Sequence, residues 1–310
     1  MRTISVFIWC VIFYLLFVAG AFAYPTAMVT AKVVDERGES VLDADVSVSF
    51  MKPKVGGWGM TTYNKDGKSD KNGLFSASGE GTQSVSIFVT KDGYYPSGGG
   101  VKLTSKSLLN RWEPWNPTVE VVLKKKRNPV GMYVKGGTST SIPVFDQPVG
   151  YDLEQGDWVS PHGLGVIDDF IFNCQYNRVD FDNAEASCKI TFANENDGIQ
   201  EFVFDENNQS YYKWPFEAPE ENYKNSLHKW MTLHFPGEGY KSNINEKVNY
   251  LFRVRTKTDQ DGNIIAANYG KVEKDFLISR KGKVKFFYYF NPDGTRNLEE
   301  DPEKNLFKKR

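Results

Sequence analysis

Histidine and cysteine are both scarce in this sequence, with three residues of each among 310. The chain contains no Gly-x-Ser-x-Gly elbow, no glycine-rich phosphate loop, no His-Glu-x-x-His and no Cys-x-x-Cys. The usual sequence signatures of serine hydrolases, nucleotide-binding enzymes, zinc proteases and thiol redox proteins are therefore missing. From the sequence we predict no catalytic residue and no cofactor.

A metal site finds little support in the same composition. A three-histidine zinc site would need His162, His228 and His234 together, and their spacing does not place them on one element. Residues 258–263 gather oxygen ligands but lack the Asp-x-Asp-x-Asp-Gly ladder and the distant Glu of a calcium loop. We predict a hairpin turn there and no metal.

Charge is balanced, since 38 Lys and Arg face 39 Asp and Glu, for a formal net charge of −1. The one local basic run, at residues 124–127, is typical of a solvated strand end. We therefore expect no nucleic-acid partner, because such proteins usually carry an extended basic surface.

One long apolar run opens the chain, at residues 4–23 behind Arg2. It ends in Ala21-Phe22-Ala23, the small-x-small pattern of a signal-peptidase site, and we predict a signal peptide at residues 1–23. The alternative is an uncleaved anchor, because roughly 20 apolar residues can span a bilayer. Under either interpretation the rest of the chain is exported, and we expect a secreted or periplasmic location. No second apolar run follows, so we expect no stable membrane insertion after cleavage.

Cysteine usage agrees with an oxidising compartment, since Cys174 and Cys188 are an even pair beyond the leader. In extended strands Phe172 shares a face with Cys174, and Ile190 shares a face with Cys188. A hairpin turn near Asp182 would set these faces side by side. We predict a cross-strand disulfide, with two buried free thiols as the alternative.

Helical periodicity is nearly absent, and short alternating runs dominate instead. Val46, Val48 and Phe50 alternate with polar residues, and Gly, Asp, Asn and Pro separate this run from others like it. Such a pattern is typical of β-sandwiches. The sequence therefore predicts an all-β protein.

Several turn motifs in the first third of the chain carry a family resemblance. Residues 31–41 and 44–48 resemble the opening hairpin of the carboxypeptidase regulatory-like, or prealbumin-like, β-sandwich. Ser69-Asp70-Lys71-Asn72-Gly73-Leu74-Phe75 is similar to that family's T-D-x-x-G-x-F turn, with Ser in place of Thr, and Lys91-Asp92-Gly93-Tyr94 is similar to its x-x-G-Y segment. The resemblance implies a prealbumin-like sandwich at residues 24–127 that acts as a spacer, without an active site.

Beyond a Gly- and Pro-rich connector, strand-like runs resume. Asp261-Gly262, between two of them, is a strong hairpin-turn signal. We expect a larger β-sandwich, of jelly-roll type, at residues 128–310.

Aromatic residues are the most informative excess, with 7 Trp, 16 Tyr and 22 Phe. Tyr212 and Trp214 lie in a stretch poor in aliphatic residues, Tyr211-Tyr212-Lys213-Trp214-Pro215-Phe216. Rings on polar loops can stack on the face of a sugar while nearby amides and carboxylates bind its hydroxyls. The alternative is that these rings anchor long loops. We retain Tyr212 and Trp214 as candidate ligand contacts.

The run at residues 227–235 places different kinds of side chain on its two faces. Strand alternation places Lys229, Met231 and Phe235 on one face, which we assign to the core. The other face carries the remaining candidate ligand contacts, His228, Trp230 and His234. Their mixture of indole and imidazole could bind a polar ligand, unless a covering loop makes Trp230 a packing residue.

These observations favour a non-enzymatic exported protein in which the first sandwich presents a second one that binds a glycan or an extracellular protein. A carbohydrate hydrolase is an alternative, because Asp168-Asp169, or Glu217 with Glu220 and Glu221, could supply its two carboxylates. A structural component of an envelope or extracellular assembly is a third possibility.

Overall fold

The computed structural model describes residues 24–54, 57–137 and 139–307. The expected signal peptide at residues 1–23 lies outside the described residues. Every regular element among the described residues is a β-strand, so the all-β prediction is confirmed. The described part of the chain accordingly offers no helix with the length and apolarity needed to cross a bilayer.

The chain divides into two compact units. Unit 1 takes residues up to Lys126 together with Glu206–Lys213, and unit 2 comprises Arg127–Asp205 and Trp214–Arg310.

Unit 1 is a β-sandwich of two main sheets. One has the strand order β4-β1-β9 and the other the order β3-β2-β5-β6, with β7 and β8 pairing separately. Alternate residues of β2 and β5 are buried, as the period-2 pattern predicted, and enclose an apolar core with Val33, Phe50 and Val121. The strands are β1 Thr26–Asp35, β2 Asp45–Pro53, β3 Met60–Lys68, β4 Leu74–Glu80, β5 Ser84–Thr90, β6 Ser97–Lys102, β7 Ser105–Lys106, β8 Trp112–Glu113 and β9 Thr118–Leu123.

The turn motifs of unit 1 behave as their glycines suggest. Gly38, Gly73 and Gly93 have φ values of 80°, 75° and 79°, a region that residues with a Cβ rarely adopt. Phe75 and Tyr94, which follow two of these turns, pack against the core of the sandwich. The motifs therefore serve as turns and core plugs.

The segment Glu206–Lys213 extends a sheet of unit 1, which the sequence did not predict. The Gly98 N–H donates to the Gln209 carbonyl at 3.0 Å, and the Tyr211 N–H donates to the Pro96 carbonyl at 2.9 Å. These bonds run along the edge strand β6, whose unpaired backbone groups would otherwise be open to another chain.

Unit 2 is the larger β-sandwich. Its strands are β10 Val130–Lys135, β11 Thr140–Ser141, β12 Pro148–Asp152, β13 Asp157–Trp158, β14 Phe170–Arg178, β15 Asn183–Thr191, β16 Gly198–Val203, β17 Ser226–His234, β18 Gly239–Ser242, β19 Val248–Thr258, β20 Ile264–Ser279, β21 Lys283–Asn291 and β22 Glu300–Asn305.

The two sheets of unit 2 have the orders β13-β12-β14-β15-β17-β18 and β16-β19-β20-β21-β10-β22. Their centres are antiparallel meanders in which strand order follows the chain, whereas a jelly roll interleaves distant strands. Between the sheets lies an aromatic core that includes Phe170, Phe172, Phe276 and Tyr288. Trp158 is buried in this core as well.

The predicted disulfide joins two neighbouring strands of unit 2. Cys174 on β14 and Cys188 on β15 are direct register partners, with their Cα atoms 4.0 Å apart, and they are bonded to each other. The hairpin turn between these strands lies at residues 179–182, where the sequence placed it. The bond closes a short loop and would stabilise the fold by about 3 kcal/mol in the chain-entropy model.

Candidate binding site

Strand β17 separates its side chains as the alternation predicted, except at its end. Lys229 and Met231 are buried, whereas His228 is exposed and Trp230 and His234 are partly exposed. Phe235 was expected in the core, but β17 ends at His234 and Phe235 is 62% exposed. Beyond the end of the strand, alternation no longer dictates which side a residue faces.

Polar residues of the neighbouring strands surround Trp230 on the outer face of the sheet. On β15, Ser187 lies directly opposite Trp230, with Glu185 opposite Thr232. On β14, Gln175 lies opposite Ser187. We call this surface the Trp230 platform, defined by Gln175, Asn177, Glu185, Ser187, His228, Trp230, Thr232 and His234.

A groove of about 540 Å³ runs over the Trp230 platform. It is lined by Trp230 and Thr232 from β17, by Glu185 and Ser187 from β15, and by Gln175 from β14. The volume lies within the range of small-molecule sites. The platform therefore combines an aromatic ring with side-chain amide, hydroxyl and carboxylate groups in one open depression.

The Asn243 side chain holds the backbone of β17 at His228 and Trp230. Its Oδ1 accepts the Trp230 N–H at 2.9 Å, and its Nδ2 donates to the His228 carbonyl at 2.9 Å. Among the described residues, none accepts a hydrogen bond from Nε1 of Trp230. The indole N–H is thus available to a ligand while its backbone is held in place.

One of the two platform histidines has a carboxylate partner. His234 Nε2 lies 3.1 Å from Glu185 Oε1, and both side chains are substantially exposed. No cluster of three or more His, Cys, Asp or Glu in the described part of the chain is arranged to hold a metal.

Beneath the platform, a buried ion pair ties the two sheets of unit 2 together. Lys229 Nζ on β17 lies 2.8 Å from Asp275 Oδ2 on β20. The other oxygen of Asp275 accepts the Tyr250 hydroxyl at 2.6 Å. Burial and this hydrogen bond raise the pKa of Tyr250 well above its usual range. The Asn245 N–H also donates to Asp275, at 2.8 Å, which anchors the loop that begins with Asn243.

Tyr212 and Trp214 do not present their rings as ligand contacts. Tyr212 belongs to unit 1, is 6% exposed and stacks on Tyr95 with ring centroids 4.6 Å apart. Trp214 belongs to unit 2, is 7% exposed and stacks on Phe202 at 5.7 Å. Both rings are enclosed because they pack connecting segments onto a sandwich. This is the role that the sequence analysis gave as the alternative to ligand contact, namely the anchoring of long loops.

Trp214 also covers a buried lysine. Nζ of Lys271 lies 5.3 Å from the Trp214 ring centroid and 4.5 Å from that of Tyr289. It donates to the Leu298 carbonyl at 2.8 Å and lies 3.3 Å from a carboxylate oxygen of Glu300. Burial lowers the pKa of Lys271 to about 8, despite the favourable charge of Glu300.

Most acids considered for a hydrolase are paired with arginines. Asp169 is buried, and its Oδ1 lies 2.8 Å from Nε of Arg255. Glu217 and Glu220 both contact Arg296, at 2.8 and 2.5 Å. Asp168 and Glu221 are exposed. The sequence could not predict that Arg255 and Arg296 pair with these acids. Arg255 is 86 residues from Asp169 and 101 from Glu154, and Arg296 is 79 residues from Glu217.

Comparison with known proteins gives distant structural likenesses. No family model and no curated protein matches the chain. Among solved structures, a 3-chlorocatechol 1,2-dioxygenase from Rhodococcus opacus 1CP is 10% identical over 34% of this chain and 61% of its own, with a TM-score of 0.26. The chain thus spans about three fifths of that dioxygenase.

Two pilins align over more of the chain. A mutant of the shaft pilin spaA from Lactobacillus rhamnosus GG is 12% identical over 80% of this chain and 93% of its own, with a TM-score of 0.24. BcpA, the major pilin subunit of Bacillus cereus, is 12% identical over 89% of this chain and 100% of its own, with a TM-score of 0.23.

The buried ion pair gives a stability prediction. Replacing Asp275 by Asn keeps the size of the side chain but leaves the Lys229 ammonium buried without a counter-charge. We expect Asp275→Asn to lower the free energy of unfolding by about 3–5 kcal/mol, measured by chemical denaturation. The double variant Lys229→Met/Asp275→Leu removes both charges and should recover most of the loss. A single variant within about 1 kcal/mol of wild type would contradict this assignment.

Lys271 gives a pH prediction. Because its folded pKa, about 8, lies below its ordinary value of 10.5, the unfolded chain binds more protons between these values. The free energy of unfolding should therefore rise with pH from about 8 to 10, by at most about 1.4 kcal/mol per pH unit, relative to Lys271→Met. Above pH 10 tyrosine ionisation in the unfolded chain opposes the trend. Parallel curves for the two proteins between pH 8 and 10 would refute the prediction.

Proposed function

We propose that this chain is an exported, non-enzymatic β-sandwich protein that binds a glycan on the Trp230 platform. The observation that carries the proposal is a partly exposed indole with an available N–H, placed in a groove of polar side chains. A pyranose face can stack on the ring, while Glu185, Ser187 and Gln175 can exchange hydrogen bonds with its hydroxyls. His228 and His234 flank the indole on the same strand.

The polar surroundings of Trp230 favour a glycan over a protein partner. Protein interfaces usually centre on several desolvated apolar anchors, whereas the platform offers one aromatic ring among amides, hydroxyls and charged groups. A single stacking ring with convergent polar groups is sufficient for a sugar. A protein partner remains an outcome that the experiment below distinguishes.

In this proposal the two halves of the chain have separate roles. Residues 24–127 form a carboxypeptidase regulatory-like domain that serves as a spacer, supported by the turn motifs around Gly38, Gly73 and Gly93. Residues 128–310 form the binding domain. Export depends on the leader at residues 1–23, and the Cys174–Cys188 disulfide is consistent with an oxidising compartment.

Removal of the leader can be tested directly. If residues 1–23 are a cleaved signal peptide, the intact mass of the exported protein should correspond to a chain that begins at Tyr24. Recovery of a membrane-bound chain that retains residues 1–23 would instead establish the anchor.

Glycan binding can be tested by affinity electrophoresis in gels that contain laminarin, mannan, xylan or dextran. At least one polysaccharide should retard the wild-type protein. Trp230→Ala should weaken that interaction about tenfold or more, because it removes the stacking surface, and should leave the thermal unfolding curve unchanged. Trp58→Ala is the matched control, since Trp58 is fully exposed in unit 1.

Two results would contradict the proposal. The first is a wild-type protein that none of the four polysaccharides retards, which would favour a protein ligand. The second is retardation of Trp230→Ala equal to that of Trp58→Ala, which would place the glycan elsewhere.

A further inference from the structure

One end of the unit 1 sandwich brings the start of the described chain together with two hairpin tips. The Thr82 N–H, between β4 and β5, donates to the Met51 carbonyl near the end of β2 at 2.7 Å. The β7–β8 hairpin joins them, because the Thr26 N–H at the start of β1 donates to the Asn110 carbonyl at 3.0 Å. We call this region the leader end of unit 1, and it comprises residues 24–26, 51–54, 57–60, 80–84 and 102–113.

Two leucines occupy the tip of the β7–β8 hairpin. The Ser107 carbonyl accepts the Asn110 N–H at 3.2 Å, and the Ser107 N–H donates to the Arg111 carbonyl at 2.8 Å. Leu108 and Leu109 are thus the central residues of a hydrogen-bonded β-turn, which Asn110 closes with a φ of 56°. Leu108 is fully exposed and Leu109 is 73% exposed. The turn therefore holds two apolar side chains in solvent.

The tip between β2 and β3 presents a second pair of large apolar side chains. Trp58 is fully exposed, and Met60 is exposed as well. Gly59, with a φ of 103°, separates them. A single exposed apolar residue needs no explanation, whereas four of them on two tips at one end of a sandwich indicate an interaction surface.

The leader end is also basic at its tips. Residues 52–60 and 102–111 carry five bases and no acid. These bases are Lys52, Lys54, Lys102, Lys106 and Arg111. None of them forms an ion pair with another described residue. The acids of the leader end, Glu80 and Glu113, lie behind the tips on β4 and β8. By contrast, the β1–β2 turn at the opposite end, residues 35–45, carries five acids and one base. The charge of the tips thus favours an anionic partner.

The position of the leader favours a lipid bilayer as that partner. Residues 4–23 lie outside the described residues, and the described chain begins at Tyr24, within the leader end. Asn110 Nδ2, in the same turn as the two leucines, donates to the Tyr24 carbonyl at 3.4 Å. Under either interpretation of the leader, Tyr24 lies next to the bilayer during export. Indole and leucine side chains enter the interface of a bilayer, and Lys and Arg are attracted to its anionic headgroups.

We propose that the leader end of unit 1 is a membrane-docking surface, on which Trp58, Leu108 and Leu109 enter the interface of an anionic lipid bilayer. The five bases of the tips contact the headgroups around them. This inference rests on the export part of the proposed function and is independent of glycan binding. The contact is peripheral and reversible, which distinguishes it from stable insertion.

Co-sedimentation with vesicles tests the docking surface. The exported protein, freed of residues 1–23, is mixed with vesicles of phosphatidylcholine, either alone or with about one third phosphatidylglycerol. It should bind the anionic vesicles more tightly, and raising the salt to about 0.5 M should weaken that binding several-fold through screening. Leu108→Ser/Leu109→Ser should weaken it about tenfold or more, since two apolar side chains no longer leave water.

Leu42→Ser is the matched control, because Leu42 is exposed in unit 1 within the acidic turn at the opposite end. This control and Trp230→Ala should bind vesicles as the wild type does, whatever the polysaccharides show. All three variants should keep the thermal unfolding curve of the wild type, because the replaced side chains are exposed or partly exposed.

Three results would overturn the docking surface. The first is a folded wild-type protein that does not bind anionic vesicles. The second is equal binding by Leu108→Ser/Leu109→Ser and Leu42→Ser. The third is a dimer, seen by light scattering without vesicle binding, that the double leucine variant dissociates, which would assign the tips to a second copy of the chain.

Discussion

The ion pair between Lys229 and Asp275 is the interaction on which the candidate site depends. It lies between the two sheets of unit 2, directly behind the strand that carries Trp230. Two buried charges cost several kcal/mol each to remove from water, so the pair is stable only because Asp275 also accepts hydrogen bonds from Tyr250, Asn245 and Phe276. This network fixes the position of β17 relative to β20. It also anchors the loop whose first residue, Asn243, holds the backbone of the indole.

A second, partly buried charge forms a similar network elsewhere in unit 2. Arg255 has a left-handed backbone, with φ of 58°, and its guanidinium reaches Asp169, Glu154 and Asp152. Apolar residues could fill this space without loss of stability, but they would not fix one register of the strands. The Trp230 platform is likewise a polar surface supported from behind by a charge pair.

Local patterns predicted the features that local patterns control. Alternation in β14 and β15 placed Cys174 opposite Cys188, because the register of a hairpin follows from its turn. Alternation in β17 separated Trp230 from Met231 for the same reason. The prediction from alternation failed at Phe235, one residue beyond the end of the strand. Alternation placed Lys229 on the core face, but it gave no reason to expect a counter-ion 46 residues away.

Long-range pairings account for what the sequence could not show. Tyr212 sits in a polar stretch that is typical of a ligand loop, yet it is enclosed because its segment runs along β6 of unit 1, more than 100 residues earlier in the chain. Trp214, two residues on, is enclosed by Phe202 and Lys271 of unit 2. These two aromatic residues of similar local context thus have different environments, which distant strands decide.

The contrast between Trp214 and Trp230 explains why we propose only Trp230 as a binding group. An indole gains most of its stabilising free energy from burial, so enclosure such as that of Trp214 is the ordinary outcome. Trp230 forgoes part of that gain and keeps its N–H available, while Asn243 holds its backbone on one side and Ser187 faces it across the sheet. Holding the backbone before a ligand arrives lowers the entropy that binding would otherwise lose. A stacking surface held in this way can bind a sugar without any of the paired carboxylates that hydrolysis requires.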